Sequence, residues 1–425
     1  MTPNTQTSPN SNQVPLDRAK QLAAALLSER GEASGALVAR ELHQVLRVLD
    51  VSDRHCFQRY LAGEFQPEKA ALLAAAERYL TNTSAEAAAA LAQAADPPRQ
   101  ELLRRMNMAP GGTGALIAIR SELAAHLRGE PILKLLDADL KHLFASWFNR
   151  GFLELRRIDW QSPAAVLEKL IAYEAVHEIK GWDDLRRRLA PDRRCFAFFH
   201  PALPSEPLIF VEVALVEGLA TAMPPLLSQD TDGETAEARA ARADTAIFYS
   251  ISNCQDGLRG VSFGNFLIKQ VVEELQAEFP QLKRFSTLSP VPGLRRWLTQ
   301  QLAEESKPDA ALLPKLTRCG WWHDPEQSEP PRGALMRLCA TYLTRRPSPG
   351  NRIDPVARFH LGNGARLERI NWLGNTAPRA IEESFGIMVN YLYDHKSIED
   401  NHEAFVRDGT IVRSPDVDAL MQGPA

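Results

Sequence analysis

The sequence predicts an all-helical N-terminal domain followed by a C-terminal domain of mixed α/β class. Three observations carry that division. Residues 15–190 are rich in Ala and Leu and poor in β-branched residues, a composition that favours helix. Near Arg193 the character changes to short apolar runs of Phe, Val and Ile, as in strands. Residues 245–288 then read as strand, glycine-bearing loop, helix and strand, a crossover that sets two parallel strands side by side.

Taken in order, residues 1–14 form a polar tail expected to be disordered, 15–190 the helical domain and 191–425 the α/β domain. Helices are expected within 23–27, 36–51, 69–80 and 85–95, and Ser84 followed by Glu86 marks a helix start. Gly111, Gly112 and Gly114 in APGGTGAL make a turn between helices. No Gly-Lys-Ser/Thr follows them and no strand precedes them, so this is no Walker loop. Residues 136–155 and 163–173 supply two more amphipathic helices, with Trp147, Phe148 and Trp160 for the core. Residues 195–199 and 207–215 suit a hairpin about a prolyl turn, and 222–244 an exposed connection with a short helix.

In the crossover, 245–252 is β-branched and aromatic, and the loop after it carries Gly257, Gly260 and Gly264. Phe266, Leu267, Val271, Leu275 and Phe279 then recur at helical spacing. A second strand over 284–288 is stopped by Pro290, Pro292 and Gly293. Helices are expected at 294–303, 309–315 and 333–343, a loop at 345–351, two strand-like runs at 359–372 and a last strand at 387–393.

Composition excludes several classes of function. Across 425 residues the formal net charge is −4, without the basic excess of a nucleic-acid binder. The longest apolar run, 208–227, is interrupted by Glu212, Glu217, Pro224 and Pro225, so no membrane span is expected. The N-terminus lacks a signal-peptide pattern, and the C-terminus ends Gln-Gly-Pro-Ala rather than Ser-Lys-Leu. Cys56, Cys195, Cys254, Cys319 and Cys339 are scattered, as free thiols in a reducing, cytoplasmic compartment would be. No HExxH, paired His/Cys cluster or Asp-rich loop is present, and no metal is expected.

The helix that follows the glycine loop directs free N–H groups and its positive dipole end at whatever occupies the loop, which suits a phosphate. Ser289, in Leu288-Ser289-Pro290, falls at the carboxyl end of the second strand, where ligands of open α/β sheets bind. Its plainer alternative is a turn serine. His360, in FHLGNG, is either a core histidine or a proton carrier suited to neutral pH.

Four stretches in this order resemble the malonyl-CoA decarboxylase family, whose catalytic domain is related to the GNAT acetyltransferases. They are WQSPAAVLEKLIAYEAVHEIKGWDDL, TAIFYSISNCQDGLRGVSFGNFLIK, FSTLSPVPG and FHLGNGARLERINW, and the resemblance spans about residues 134–394. It implies a GNAT-like sheet, and conversion of malonyl-CoA to acetyl-CoA through a thioester enolate protonated at the α-carbon. The substrate's own thioester is the electron sink, so no cofactor is expected. Ser289 and His360 match the family's serine and histidine. Arg259, Gly260, Val261, Ser262, Phe263, Gly264 and Asn265 match its acyl-CoA loop, whose N–H groups would hold the pyrophosphate. Ser262 stands where animal members carry glutamate, which leaves no carboxylate at that position.

Supporting positions are Ser250, which has a local strand role as its alternative, Tyr393, which has a core role, and His200, which has a hairpin-turn role. Lys269, Arg295 and Arg296 are either phosphate contacts or solvated charges. The resemblance also implies a homo-oligomer, commonly a tetramer. Two rival readings are an acyltransferase using the same loop, which needs an amine acceptor, and a non-catalytic acyl-CoA sensor. Neither explains why the LSP serine and the FHL histidine accompany the loop.

Overall fold

The computed structural model of the protein describes residues 13–174, 176–228, 234–261, 267–302, 316, 318, 320–345 and 353–422. The chain divides into two units. The first takes Met1–Glu154, Phe199–Leu208 and Asn253–Phe263, and the second Leu155–Phe198, Ile209–Ser252 and Gly264–Ala425. No helix among the described residues is long and apolar enough to cross a membrane.

The first unit contains α1 (Gln13–Leu26), α2 (Glu29–Val48), α3 (Val51–Glu64), α4 (Lys69–Thr81), α5 (Ala85–Ala95), α6 (Pro98–Met106), α7 (Gly112–Leu123) and α8 (Leu133–Trp147). Side chains start these helices by accepting orphan N–H groups: Asp50 from Asp53, and Ser84 from Ala87. Gly111 turns the chain between α6 and α7 at φ 79°, so APGGTGAL is the interhelical turn expected. Leu22, Leu42, Leu61, Leu103 and Leu116, from five helices, and Leu140 and Phe144, four residues apart on α8, are buried.

Two buried arginines each meet an aspartate, Arg99 with Asp139 at 2.7 Å and Arg120 with Asp137 at 2.8 Å. Arg120 also donates to the carbonyls of Gly257 and Arg259, at 2.6 and 2.9 Å, and so anchors the start of the glycine loop. At Gly257 only glycine fits, because a Cβ would lie 2.0 Å from the Ile117 carbonyl oxygen.

The second unit is organised on a sheet of β1 (Glu154–Ile158), β2 (Arg193–Phe199), β3 (Ile209–Val216), β4 (Thr245–Asn253), β5 (Arg284–Thr287), β6 (Ser289–Pro290), β7 (Arg366–Asn371) and β8 (Met388–Tyr393). The order runs β1-β2-β3-β4-β5-β8-β6, and β7 also pairs with β8. β2 and β3 form the expected antiparallel hairpin, with Phe196 opposite Val211. α9 (Ala164–Tyr173), α10 (Trp182–Arg188), α11 (Pro224–Leu227) and α12 (Ala236–Arg242) precede β4, which runs parallel to β5 with Phe248 opposite Thr287, and α13 (Leu267–Glu278) lies in the crossover between these two strands. The remaining helices are α14 (Leu294–Gln301), α15 (Pro325–Thr344), α16 (Pro355–Gly362), α17 (Pro378–Ser384), α18 (Ile398–Asp408) and α19 (Pro415–Gln422).

β5 and β6 are one strand opened at Leu288. β8 keeps a single register along both, with Ser286 opposite Leu392 and Ser289 opposite Val389. At the opening the Leu288 N–H turns to Phe248, and side chains replace the missing ladder bonds: the Tyr391 N–H goes to Thr287 Oγ1, and Asn390 Nδ2 to the Thr287 carbonyl. Leu288, Ile247, Tyr249, Met388, Met223 and Leu226 pack together on the opposite face.

Four expectations are corrected. Residues 359–372 are not two strands: Asp354 caps and Pro355 opens a helix, α16, and only 366–371 is a strand. The helix expected over 136–155 ends at Trp147, and β1 follows Gly151. Trp160 is 46% exposed, against Trp182, rather than a core residue. Residues 222–244 are not wholly exposed, because Met223 and Leu226 enter the core. The helix expected at 309–315 lies outside the described residues.

Gly364, between α16 and β7, has φ 81°, and a Cβ there would lie 2.0 Å from the Ile398 carbonyl oxygen. Gly364→Ala is expected to lower unfolding free energy by about 3 kcal/mol. Denaturant unfolding checks this, and a loss under about 0.5 kcal/mol, the range of neutral surface changes, would contradict it.

Candidate active site

Ser289 begins β6 immediately past the opening, and His360 occupies the last turn of α16. Long-range packing brings them together. Ser289 Oγ lies 3.1 Å from His360 Nε2, and His360 Nδ1 lies 2.7 Å from the Tyr393 hydroxyl on β8. Ser289 donates to Thr287 Oγ1 at 2.9 Å. The Tyr391 ring stacks on the imidazole, with centroids 4.8 Å apart, and the Phe248 ring meets Tyr393 edge-on.

This group is nearly dry: His360 is 3% exposed, Ser289 5% and Tyr393 4%. Burial pushes the His360 pKa down to about 3, and no neighbouring anion among the described residues offsets it. At neutral pH the ring is uncharged and carries one N–H. With the Ser289 proton directed at Thr287, that ring proton sits on Nε2. The chain then runs Tyr393 Oη–H to Nδ1, Nε2–H to Ser289 Oγ, and Ser289 Oγ–H to Thr287.

The other sequence candidates fall in different settings. Ser250 Oγ donates to the Glu174 carboxylate at 2.8 Å, and Ser252 donates to the same carboxylate at 3.1 Å. Glu174 also accepts the backbone N–H groups of Val176 and His177, both at 2.8 Å. Glu174 was not singled out, although it stands within YEAVHEI at the end of α9. Thr287 and Asp354 were missed as well.

In the first unit, His200 Nδ1 accepts from the Ala202 N–H within the hairpin turn, and Nε2 is 3.0 Å from the Trp147 carbonyl at the end of α8. Arg259 pairs with Asp256 at 2.8 Å, Gly260 has φ 77° and Val261 is buried. Ser262, Phe263, Gly264 and Asn265 lie outside the described residues. In the second unit Lys269 pairs with Glu399, and Arg295 lies over the Phe385 ring. Arg296 lines a cleft of about 1100 Å³ with Trp297, Tyr342, Arg345 and Arg358, and none of Ser289, His360 and Tyr393 lines it.

Among the described residues, His55, His126 and Glu130 are close enough to share an ion. Their imidazoles stack at 3.9 Å with planes 21° apart, so the ring lone pairs lie in two nearly parallel planes. Glu130 Oε1 lies 2.8 Å from His55 Nε2 without forming a hydrogen bond, and Glu130 pairs with Arg59 at 3.3 Å.

An α/β domain with a buried hydroxyl–imidazole–phenol chain, attached to a helical domain, is the architecture of an enzyme, and comparison with known proteins defines which. Residues 151–425 match the family described as Malonyl-CoA decarboxylase C-terminal domain, and 65–148 match Malonyl-CoA decarboxylase N-terminal domain. The chain therefore belongs to the malonyl-CoA decarboxylase family. Mitochondrial malonyl-CoA decarboxylase of Anser anser anser is 38% identical over 375 residues, 81% of this chain and 71% of that protein. The crystal structure of malonyl-CoA decarboxylase from Rhodopseudomonas palustris superposes with a TM-score of 0.88 at 47% identity, covering 95% of this chain and 99% of that one. That from Agrobacterium vitis gives 0.87 at 49%, covering 95% and 100%.

His360, at about 3, and His177, lowered by burial to about 4, both have folded pKa values below the ordinary 6.5. As pH falls below 6.5 the unfolded chain takes up protons that these folded groups refuse. The stability they contribute is therefore complete above 6.5 and is lost as pH falls from 6.5 towards 3, at up to about 1.4 kcal/mol per pH unit for each histidine. The slope of unfolding free energy between pH 4 and 6.5 is expected to flatten in His360→Asn and His177→Asn. An unchanged slope in both would contradict the assignment of neutral rings.

Proposed function

We propose that the protein converts malonyl-CoA to acetyl-CoA and CO₂, with Ser289 and His360 as the working pair. The observation that carries this reading is the buried Ser289–His360–Tyr393 chain at the carboxyl end of the parallel pair β4/β5, within a chain of this family. The loop that begins at Arg259, pinned by Arg120, holds the CoA pyrophosphate through its N–H groups.

In the free protein His360 is neutral because burial disfavours its charge and no anionic side chain among the described residues balances it. The malonyl carboxylate supplies that balance, and the negative end of α16 adds to it. Substrate binding therefore brings one proton from solvent onto the ring. Ser289 turns from Thr287 to the carboxylate and orients it. The bond between the carboxyl carbon and the α-carbon then breaks, CO₂ leaves, and the electron pair passes into the thioester as an enolate. Imidazolium Nε2–H protonates the α-carbon and the ring returns to neutral. One proton is consumed per acetyl-CoA formed, and atoms and charge balance without a further reactant.

The purified protein is expected to form acetyl-CoA from malonyl-CoA after chelator treatment, and His360→Ala to lose at least about 10²-fold in kcat, the scale of general acid catalysis. Ser289→Ala should lose a comparable factor. Retained turnover in His360→Ala would remove the histidine from its role, and absence of turnover in the unaltered protein, with acyl transfer from acetyl-CoA to an amine, would replace the reaction.

A further inference from the structure

We propose that Asp354 is a positioning residue for this reaction, a single buried carboxylate that holds the backbone just beyond Ser289 against the helix carrying His360. The inference rests on the Ser289–His360 reading above. Asp354 Oδ1 accepts from the N–H groups of Val356 and Ala357, at 3.0 and 3.4 Å, and so caps α16. Oδ2 accepts from the Gly293 N–H at 3.0 Å and from the Tyr342 hydroxyl at 3.1 Å. Gly293 follows Ser289 by four residues and His360 follows Asp354 by six, so one side chain reaches both arms of the pair.

Three observations set this carboxylate apart from an ordinary cap. Asp50, Glu68 and Thr235 cap their helices while exposed, whereas Asp354 is 1% exposed. Burying a carboxylate is costly unless its oxygens are satisfied, and capping alone does not call for it. Gly293 has φ −92°, a conformation open to any residue, yet a Cβ there would lie 2.0 Å from the Tyr342 hydroxyl oxygen and 3.0 Å from Asp354 Oδ2. The side chain is missing where the carboxylate must reach the backbone. The fourth partner, Tyr342, comes from α15 and packs against the Trp297 ring, with centroids 5.1 Å apart.

The physical need is clear from the chain. Ser289 and His360 are 71 residues apart in sequence and 3.1 Å apart in space. β8 pairing fixes Ser289, and Ala357 and Leu361 seat α16 in the core, while the Asp354 carboxylate adds a direct link between the start of that helix and Gly293 at the end of the 290–293 turn. Asp354 locks that start to the turn, and the rigid helix carries the constraint to His360.

Asp354→Asn and Asp354→Ser test the tether. Both keep an oxygen that can cap α16. The asparagine amide would set a donor against the Gly293 N–H if its oxygen caps, and serine is too short to reach Gly293. In both, kcat is expected to fall about 10–100-fold, the cost of an approximately 1 Å misplacement, with KM within about 3-fold of the unaltered protein. Tyr342→Phe removes one partner of Oδ2 and leaves the cap, and is expected to lose about 3–10-fold in kcat by the same reasoning, which decides the matter if neither Asp354 variant folds.

Activities are compared per folded molecule, from near-UV circular dichroism. Asp354→Asn and Asp354→Ser with kcat within about twofold of the unaltered protein, or a loss that vanishes on correction for the folded fraction, would overturn the proposal. A wild-type kcat in Tyr342→Phe, with the Asp354 variants unfolded, would do so too. If Ser289→Ala and His360→Ala themselves keep full turnover, the pair reading fails, and that outcome is separate from a failure of the tether alone.

Discussion

Burying an imidazole without a counter-ion is the constraint on which the second unit depends. His360 lies between the Tyr391 ring and the hydroxyls of Ser289 and Tyr393, with no carboxylate among the described residues near enough to offset its desolvation. Such a ring is tolerated in its neutral form because both nitrogens have partners. The elements around it follow from keeping those partners in place. β5 and β6 open at Leu288 so that Ser289 presents its hydroxyl, and Thr287 and Asn390 fill the gap in the ladder. Asp354 both starts the helix and fastens it to the turn after Ser289.

If His360 is the acid, as proposed above, the same arrangement lets a decarboxylase work without a resident charge there. A permanently cationic acid would need a permanent anion beside it, and that anion would repel the malonyl carboxylate. In the proposed mechanism a dry, neutral histidine avoids this, since the substrate would supply the charge that turns the ring into an acid. The Glu174 carboxylate is kept occupied by two serine hydroxyls and two backbone N–H groups. Ser250 thereby has its proton committed to Glu174, so towards a ligand it can offer only an acceptor.

Local patterns made much of this legible in the sequence. The βαβ crossover is written in a β-branched strand, a glycine loop and a helical apolar face, and each of these features is set within a few residues. The position of LSP at the end of a strand makes Ser289 a candidate beside a plain turn serine, and the resemblance to the family is what favours the functional reading. His360 was identifiable as a candidate, but its helix was misread because FHL looks like an apolar strand run. The signal that would have corrected it is Asp354-Pro355, an N-cap followed by proline at the first helical position. Thr287, Glu174 and Asp354 were beyond reach for a different reason. Their roles arise from partners far along the chain, and a lone threonine or carboxylate reads as polar surface until packing brings a backbone N–H to it.

The account stands or falls on when His360 is charged, which histidine NMR with selectively labelled imidazole reads directly. In the free protein the His360 ring should stay neutral from pH 7 down to about 4, and with a non-decarboxylating, carboxylate-bearing CoA thioether bound it should be cationic at pH 7. A ring that titrates near 6.5 in the free protein, or that remains neutral with the carboxylate ligand in place, would contradict it.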